Sequence, residues 1–218
     1  QQALEKEKLE TELKFLKSQF NPHFLFNTIN SIFVLIHKNP DRASESLAKF
    51  SELLRYQLYE CNEAKIPLKH EISYLENFIE LEKLRLDHHF ELHFQNNIGS
   101  NANWMIAPFL LIPFVENAFK HVSQEKDQTN WINIRLELEY STLKMQVSNS
   151  YSKLHNRQTA LLDYGGIGLK NVKRRLDLLY DKNYNLQILE EEQHFLVELS
   201  LNLKEEINLT VQDLQVIR

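Results

Sequence analysis

The chain is poor in the residues that cross-link, span or punctuate proteins. Its 218 residues include one cysteine, Cys61, so no internal disulfide can form, which fits a reducing compartment. No apolar run approaches the length needed to cross a bilayer, and no stretch has the layout of a secretory signal. No lysine and arginine cluster forms a basic stripe, and the formal net charge of -5 argues against a nucleic-acid binder. Glycine is scarce as well: there are four, and three of them fall at Gly165, Gly166 and Gly168. The chain opens on Gln1 within a helical pattern and without methionine, so it reads as a fragment. What remains is ordinary for a soluble globular protein. Hydrophobic content is 43%, and the length suits one large domain or two small ones.

Residues 1 to about 37 follow a helical period. Leu9, Leu13, Leu16 and Phe20 recur at steps of four and three, a heptad-like seam. The same steps continue to His23, Asn27 and Asn30, all polar, while a second apolar stripe runs through Leu25, Ile29, Ile32 and Ile36. An offset of two residues is about 200° of rotation, so the histidine and its two asparagines share a face nearly opposite the new stripe. Pro22 stands at the change and predicts a kink. A solvent-side histidine with amides at i+4 and i+7 is a candidate for chemistry; a plain surface histidine is the alternative.

Lys38-Asn39-Pro40-Asp41 reads as a turn, with Asp41 able to cap a second helix that carries Ala43, Leu47, Phe50, Leu54 and Leu58 and stops near Cys61 and Asn62. Such a hairpin cannot bury its own seam. Pairing with a second copy into a four-helix bundle would bury it, and packing against the rest of the chain is the alternative. Pro67 predicts the start of a third helix, with Leu68, Ile72, Leu75 and Ile79 at helical spacing, ending near Leu86. His88, His89 and His93 have no carboxylate or thiolate at ligand spacing and flank a strand-like run from His89 to Phe94, so a zinc site is disfavoured. Asn96 to Asn101 is turn-rich.

From Met105 an apolar run reads as a buried helix and leads into Glu116, Asn117, Lys120 and His121. Asn117 and Lys120 share a face, and an amide oxygen beside a phosphate-seeking lysine suits a magnesium nucleotide. Residues 131 to 139 and 143 to 147 alternate as half-buried strands, and Leu186 to Leu189 with Phe195 to Leu203 form a hairpin. Gly166-Ile167-Gly168-Leu169-Lys170-Asn171 feeds a helix with Val172, Leu176 and Leu179 on one face. A glycine turn at a helix start can cradle phosphate, and no lysine of the Walker type follows it. Residues beyond Lys204 carry no functional signal.

The contiguous string Asn21-Pro22-His23-Phe24-Leu25-Phe26-Asn27 resembles the phosphoacceptor motif of the LytS-like sensor histidine kinases. Val115 to His121, then Gly166 to Asn171 with Arg175 and Leu176, resemble the ATP-binding unit of the same family in the same order. The resemblance covers about residues 15 to 203. It implies an α+β protein: a dimerising helical hairpin over 1–66, an ATP-binding α/β sandwich of the kind shared with gyrase and MutL over 67–204, and a tail over 205–218. It implies that His23 is phosphorylated from ATP with Mg²⁺ and passes the group to an aspartate of a response regulator. Asn117 would be the Mg²⁺ ligand and Lys120 a phosphate contact with His121 beside it. Gly166, Gly168, Leu169 and Asn171 would anchor the nucleotide lid. The implied setting is a homodimer in the cytoplasmic region of a membrane-anchored bacterial sensor, attached only through the preceding segment.

Two positions depart from the family. Where most members place Asp-Asn-Gly before the lid, this chain has Asn149-Ser150-Tyr151. The Asn149 amide oxygen can accept from the adenine amino group but lacks a charge, a loss of roughly 1 kcal/mol or about fivefold in affinity. Phe24 follows His23 where many other histidine kinases place an acid. Asn27 can orient the imidazole but cannot take a proton, and neutral imidazole already offers a lone pair. Glu116 is the candidate to assist. Besides an autokinase, the sequence allows a weak or inactive nucleotide-binding scaffold that dimerises, and an ATPase of the gyrase type.

Overall fold

A computed structural model describes residues 22–59, 63–86, 90–99, 103–123, 129–152 and 167–205. The seam from Leu9 to Phe20 and the change of direction expected at Pro22 lie outside those residues, as do Cys61, His88 and His89. The chain divides into two compact units, 1–62 with 73–86, and 63–72 with 87–218.

In the first unit, α1 (Pro22–Lys38) and α2 (Pro40–Tyr59) form the hairpin. Asn39, not Asp41, caps α2: its Oδ1 accepts the Arg42 N–H at 3.1 Å, with Pro40 in the first helical position where its missing N–H costs nothing. The inward stripe of α2 is Ala43, Ser46, Phe50, Leu53 and Gln57, at steps of three and four. Leu47 and Leu58, expected on that face, are 56% and 50% exposed. On α1 the buried side chains are Phe24, Thr28 and Ile32, whereas Ile29 and Ile36 are each 49% exposed. The apolar surface of α1 is therefore wider than one stripe, and the chain itself covers the edge nearest Phe24. α3 (Leu68–Glu82), of which residues 73–82 belong to this unit, and a following 3-10 turn (Lys83–Arg85) complete it. Phe24 stacks on Phe78 with ring centres 4.7 Å apart, and Gln57 donates to the Tyr74 hydroxyl at 2.7 Å.

The second unit is built on a five-stranded sheet. Its strands are β2 (Phe90–Asn97), β4 (Asn130–Glu139), β5 (Thr142–Ser150), β6 (Tyr184–Glu190) and β7 (His194–Asn202), in the order β2-β4-β5-β7-β6. Only the β2–β4 pair is parallel; the others run antiparallel. Ile134 pairs with Val147 and Val147 with Val197, so these buried residues share one face, while Arg135, Gln146 and Glu198 share the other. That alternation is the period of a half-covered sheet. The covering helices are α4 (Ile112–His121), which lies against β4 and β5, and α5 (Ile167–Tyr180), which lies against α4. The buried face of α5 is Leu169, Val172, Leu176 and Tyr180, with Leu179 turned out at 51% exposure instead of in.

A smaller antiparallel sheet joins β1 (Ile66–Pro67), β3 (Trp104–Ile106) and β8 (Lys204–Glu205). It corrects two expectations. Pro67 pairs with Met105 in this sheet and α3 starts one residue later, and the apolar run from Met105 opens as strand and turn before becoming helix. Competition for the Ile66 ladder explains both, since a strand partner far along the chain leaves no local trace.

Candidate functional site

His23 is the second residue of α1 and its side chain is exposed. Asn27, one turn on, brings Nδ2 to 3.1 Å from both ring nitrogens, so the amide edge lies across the imidazole. Asn30 is exposed further along the helix. Pointing the other way, Phe24 is 4% exposed. Its stacking on Phe78 fixes the rotation of this end of α1 and thereby keeps the neighbouring ring in solvent.

In the second unit, Phe114, Val115 and Ala118 bury one side of α4 and turn Asn117 and Lys120 away from it. Asn117 is half-buried, Lys120 is exposed, and neither pairs with a described residue; Glu116 and His121 are half-buried. The turn before α4 is held from three directions. Glu71, 1% exposed, accepts the Phe109 N–H on Oε2 at 2.9 Å and those of Leu110 and Leu111 on Oε1 at 2.8 and 3.0 Å. Arg175 donates to the Pro108 and Phe109 carbonyls at 2.6 and 3.0 Å, and the Tyr180 hydroxyl accepts the Ala107 N–H at 2.9 Å. Phe109 sits at φ 53°, a left-handed conformation that these bonds maintain. Burial pushes the Tyr180 phenol above its usual range, against the opposing effect of the Ala107 hydrogen bond.

The end of β5 meets the end of α4. The Ser123 N–H donates to the Ser150 carbonyl at 2.9 Å, and Ser123 Oγ bonds Asn130 and Ser150 at 2.7 and 2.8 Å. Asn149 pairs across the sheet with Ile132, so its side chain lies on the helix-covered face, with no exposed surface. Its Nδ2 donates to the Ser150 carbonyl at 2.9 Å, while Oδ1 is buried without a partner. A buried acceptor without a donor costs about 1–3 kcal/mol, so this atom is poised for a ligand that brings an N–H. Tyr151, in the place of the family glycine, turns outward to Glu190, with its hydroxyl 3.2 Å from Oε1.

At the start of α5, Gly168 and Asn171 are exposed and Leu169 is buried. No described atom stands within 4 Å of where a Gly168 Cβ would be, so crowding inside the chain does not account for that glycine. Gly166 lies outside the described residues. His93, by Glu91 at 3.8 Å, is exposed, and among the described residues no group of histidine, cysteine and carboxylate side chains could hold a metal ion.

Residues 11–90 match the family model for histidine kinases. The sensor protein LytS of Staphylococcus saprophyticus is 31% identical over 208 residues, 90% of this chain and 35% of that protein. The sensor histidine kinase/phosphatase LytS of Staphylococcus aureus is 32% identical over 187 residues, 82% of this chain and 32% of that one. The chain belongs to the LytS-like histidine kinase family. It spans about a third of the length of these LytS relatives. The histidine kinase domain of a blue-light activated kinase from Erythrobacter litoralis superposes with a TM-score of 0.46 at 13% identity, over 90% of this chain and 93% of that one.

Two glutamates of this LytS-like chain escaped the reading of its motifs. Glu71 and Glu82 lie on the buried seam of α3 with Leu68, Leu75 and Phe78, at steps of three and four. A carboxylate at a core position of an amphipathic helix was the available signal. Glu82 is 7% exposed, and Arg85 Nη1 lies 3.1 Å from both of its oxygens. Burial pushes the Glu82 carboxyl above the usual range, while Arg85 and then His23 draw it back.

Proposed function

We propose that this chain is the autokinase core of a sensor: with Mg²⁺ and ATP it phosphorylates His23, then donates the phosphoryl group to an aspartate of a response regulator. The observation that carries the nucleotide half is the buried, unpartnered Oδ1 of Asn149, an acceptor suited to the 6-amino group of adenine. Ser150 holds the amide in that sense, since its carbonyl occupies Nδ2. Asn117 would ligate Mg²⁺, Lys120 would meet phosphate with His121 beside it, and Gly168 and Asn171, with Gly166 and Leu169, would anchor the lid. Bound Mg²⁺ would supply charge neutralisation at the phosphates.

The acceptor half rests on the exposed imidazole. With the Asn27 amide turned so that its oxygen accepts one ring N–H, the other nitrogen keeps its lone pair for attack. Asn27 would thus orient the ring, and the half-buried Glu116 would be the group that assists it.

Dimerisation is part of the proposal. Phe26, Ile29, Phe33 and Ile36 follow one another at steps of three and four along α1, and their exposures are 68%, 49%, 62% and 49%. An apolar stripe of that length on a helix is the seam of a bundle, and a second hairpin would cover it. Among the described residues no helix is long and apolar enough to cross a membrane.

The test is incubation with γ-labelled ATP and Mg²⁺. Acid-labile label should appear on the wild-type chain and be lost from His23→Gln while nucleotide binding persists. Binding without label would favour the scaffold reading. Phosphate release that survives the substitution would favour an ATPase.

A further inference from the structure

Glu71 and Glu82 are buried in one helical seam, but only Glu71 has an evident structural occupation, three backbone amides. Glu82 has Arg85, a side chain about one-third exposed, and no other hydrogen-bond partner among the described residues. Stability alone does not explain such a pair, because apolar replacement of buried ion pairs is often neutral or favourable. Position does. Phe78, one turn before Glu82, stacks on Phe24, the residue after His23, and the 3-10 turn immediately after Glu82 lies against α1. Glu82 is therefore bracketed by two contacts with α1, the first at the end that carries the histidine. The electrostatic influence of His23 on Glu82 is consistent with that placement.

We propose that Glu82, held in place by Arg85, is a positioning residue for His23 whose negative charge favours the cationic ring formed during phosphorylation. The inference rests on the autokinase reading above. In the step concerned, a ring-nitrogen lone pair forms the N–P bond as the bond from γ-phosphorus to the bridging oxygen breaks, and that electron pair leaves with ADP. The ring is positive until the proton on its other nitrogen passes to water. A fixed carboxylate in a poorly hydrated position lowers the energy of that cation without touching the nucleotide. It also answers a gap in the motif: Phe24 takes the place of the acid that follows the histidine elsewhere, and α3 supplies one from a distance in sequence.

The test uses this chain with Glu82→Gln, which keeps shape and removes charge, and with Glu82→Gln/Arg85→Gln, which leaves no unpaired guanidinium. Circular dichroism establishes that each is folded. Maximal autophosphorylation should fall about tenfold in both, with KM for ATP unchanged within about twofold. In the nucleotide-free chain, the ¹⁵N resonances of the His23 ring should move relative to wild type, while those of His37 at the far end of α1 stay put. Wild-type rates in the folded variants overturn the role, whether or not the resonances move. A slower rate with unmoved His23 resonances also overturns it, by making the pair merely structural. An unlabelled wild-type chain refutes the autokinase reading and this role together; a labelled wild type with an equally labelled variant refutes this role alone.

Discussion

Asn149 shows how one atom can set the proposed nucleotide site against the stability of the fold. Its Oδ1 is buried without a donor, whereas the Ser150 carbonyl it bonds has a second donor in the Ser123 N–H. Asn149→Leu removes the orphan acceptor and leaves that carbonyl satisfied. The folded state should gain up to about 1 kcal/mol in urea unfolding, while affinity for ATP by calorimetry drops about tenfold. Loss of both stability and binding would point to a packing role instead. An aspartate would not be a simple improvement here. It would set a carboxylate oxygen against the Ser150 carbonyl, now 2.9 Å from an amide donor. The sequence disclosed the type of residue at this position, but not this pinning, which depends on the next residue's carbonyl direction.

At the level of elements, α3 is the most informative. Its burial seam was legible from the spacing of Leu68, Ile72, Leu75 and Ile79, yet the two carboxylates within it were passed over because periodicity registers apolar residues. Glu71 is the clearer case. Glutamine there keeps one acceptor but aims an amide donor at the Phe109 N–H, now 2.9 Å from Oε2. Glu71→Gln should cost about 2–3 kcal/mol, read as a lower urea midpoint with an unchanged slope. A cost within about 0.5 kcal/mol would mean that Arg175 and Tyr180 hold the turn without it. The strands β4 and β7 were readable to within a residue of their ends, since a half-covered sheet writes its period directly into the chain, while β5 was legible only over Leu143 to Val147 and runs on to Ser150. The helix faces were less so. Leu47, Leu58 and Leu179 are apolar at plausible spacing, and only the neighbour that arrives decides which side is covered.

For the whole molecule, the exposed stripe from Phe26 to Ile36 is the surface on which the proposed dimer rests. Phe33 is 62% exposed in the single chain, so a charge placed there is tolerated by the monomer and buried uncompensated in a bundle. Phe33→Glu should weaken self-association roughly 100-fold, about 3 kcal/mol, in sedimentation velocity, with helix content retained. A wild-type chain that sediments as a monomer at all practical concentrations would remove the dimer from the account. The connection between β2 and β4 has a different consequence, in time instead of affinity. β4 with β5 and β6 with β7 join through short turns, but β2 reaches its parallel partner only after β3 and α4 have been traversed. Local closure is quick and distant closure slow, so the hairpins should zip early and the β2 edge dock late. In pulsed hydrogen exchange during refolding, amides of Leu92 to Asn96 should gain protection after those of Leu143 to Val147. Simultaneous protection would mean that the sheet condenses in a single event.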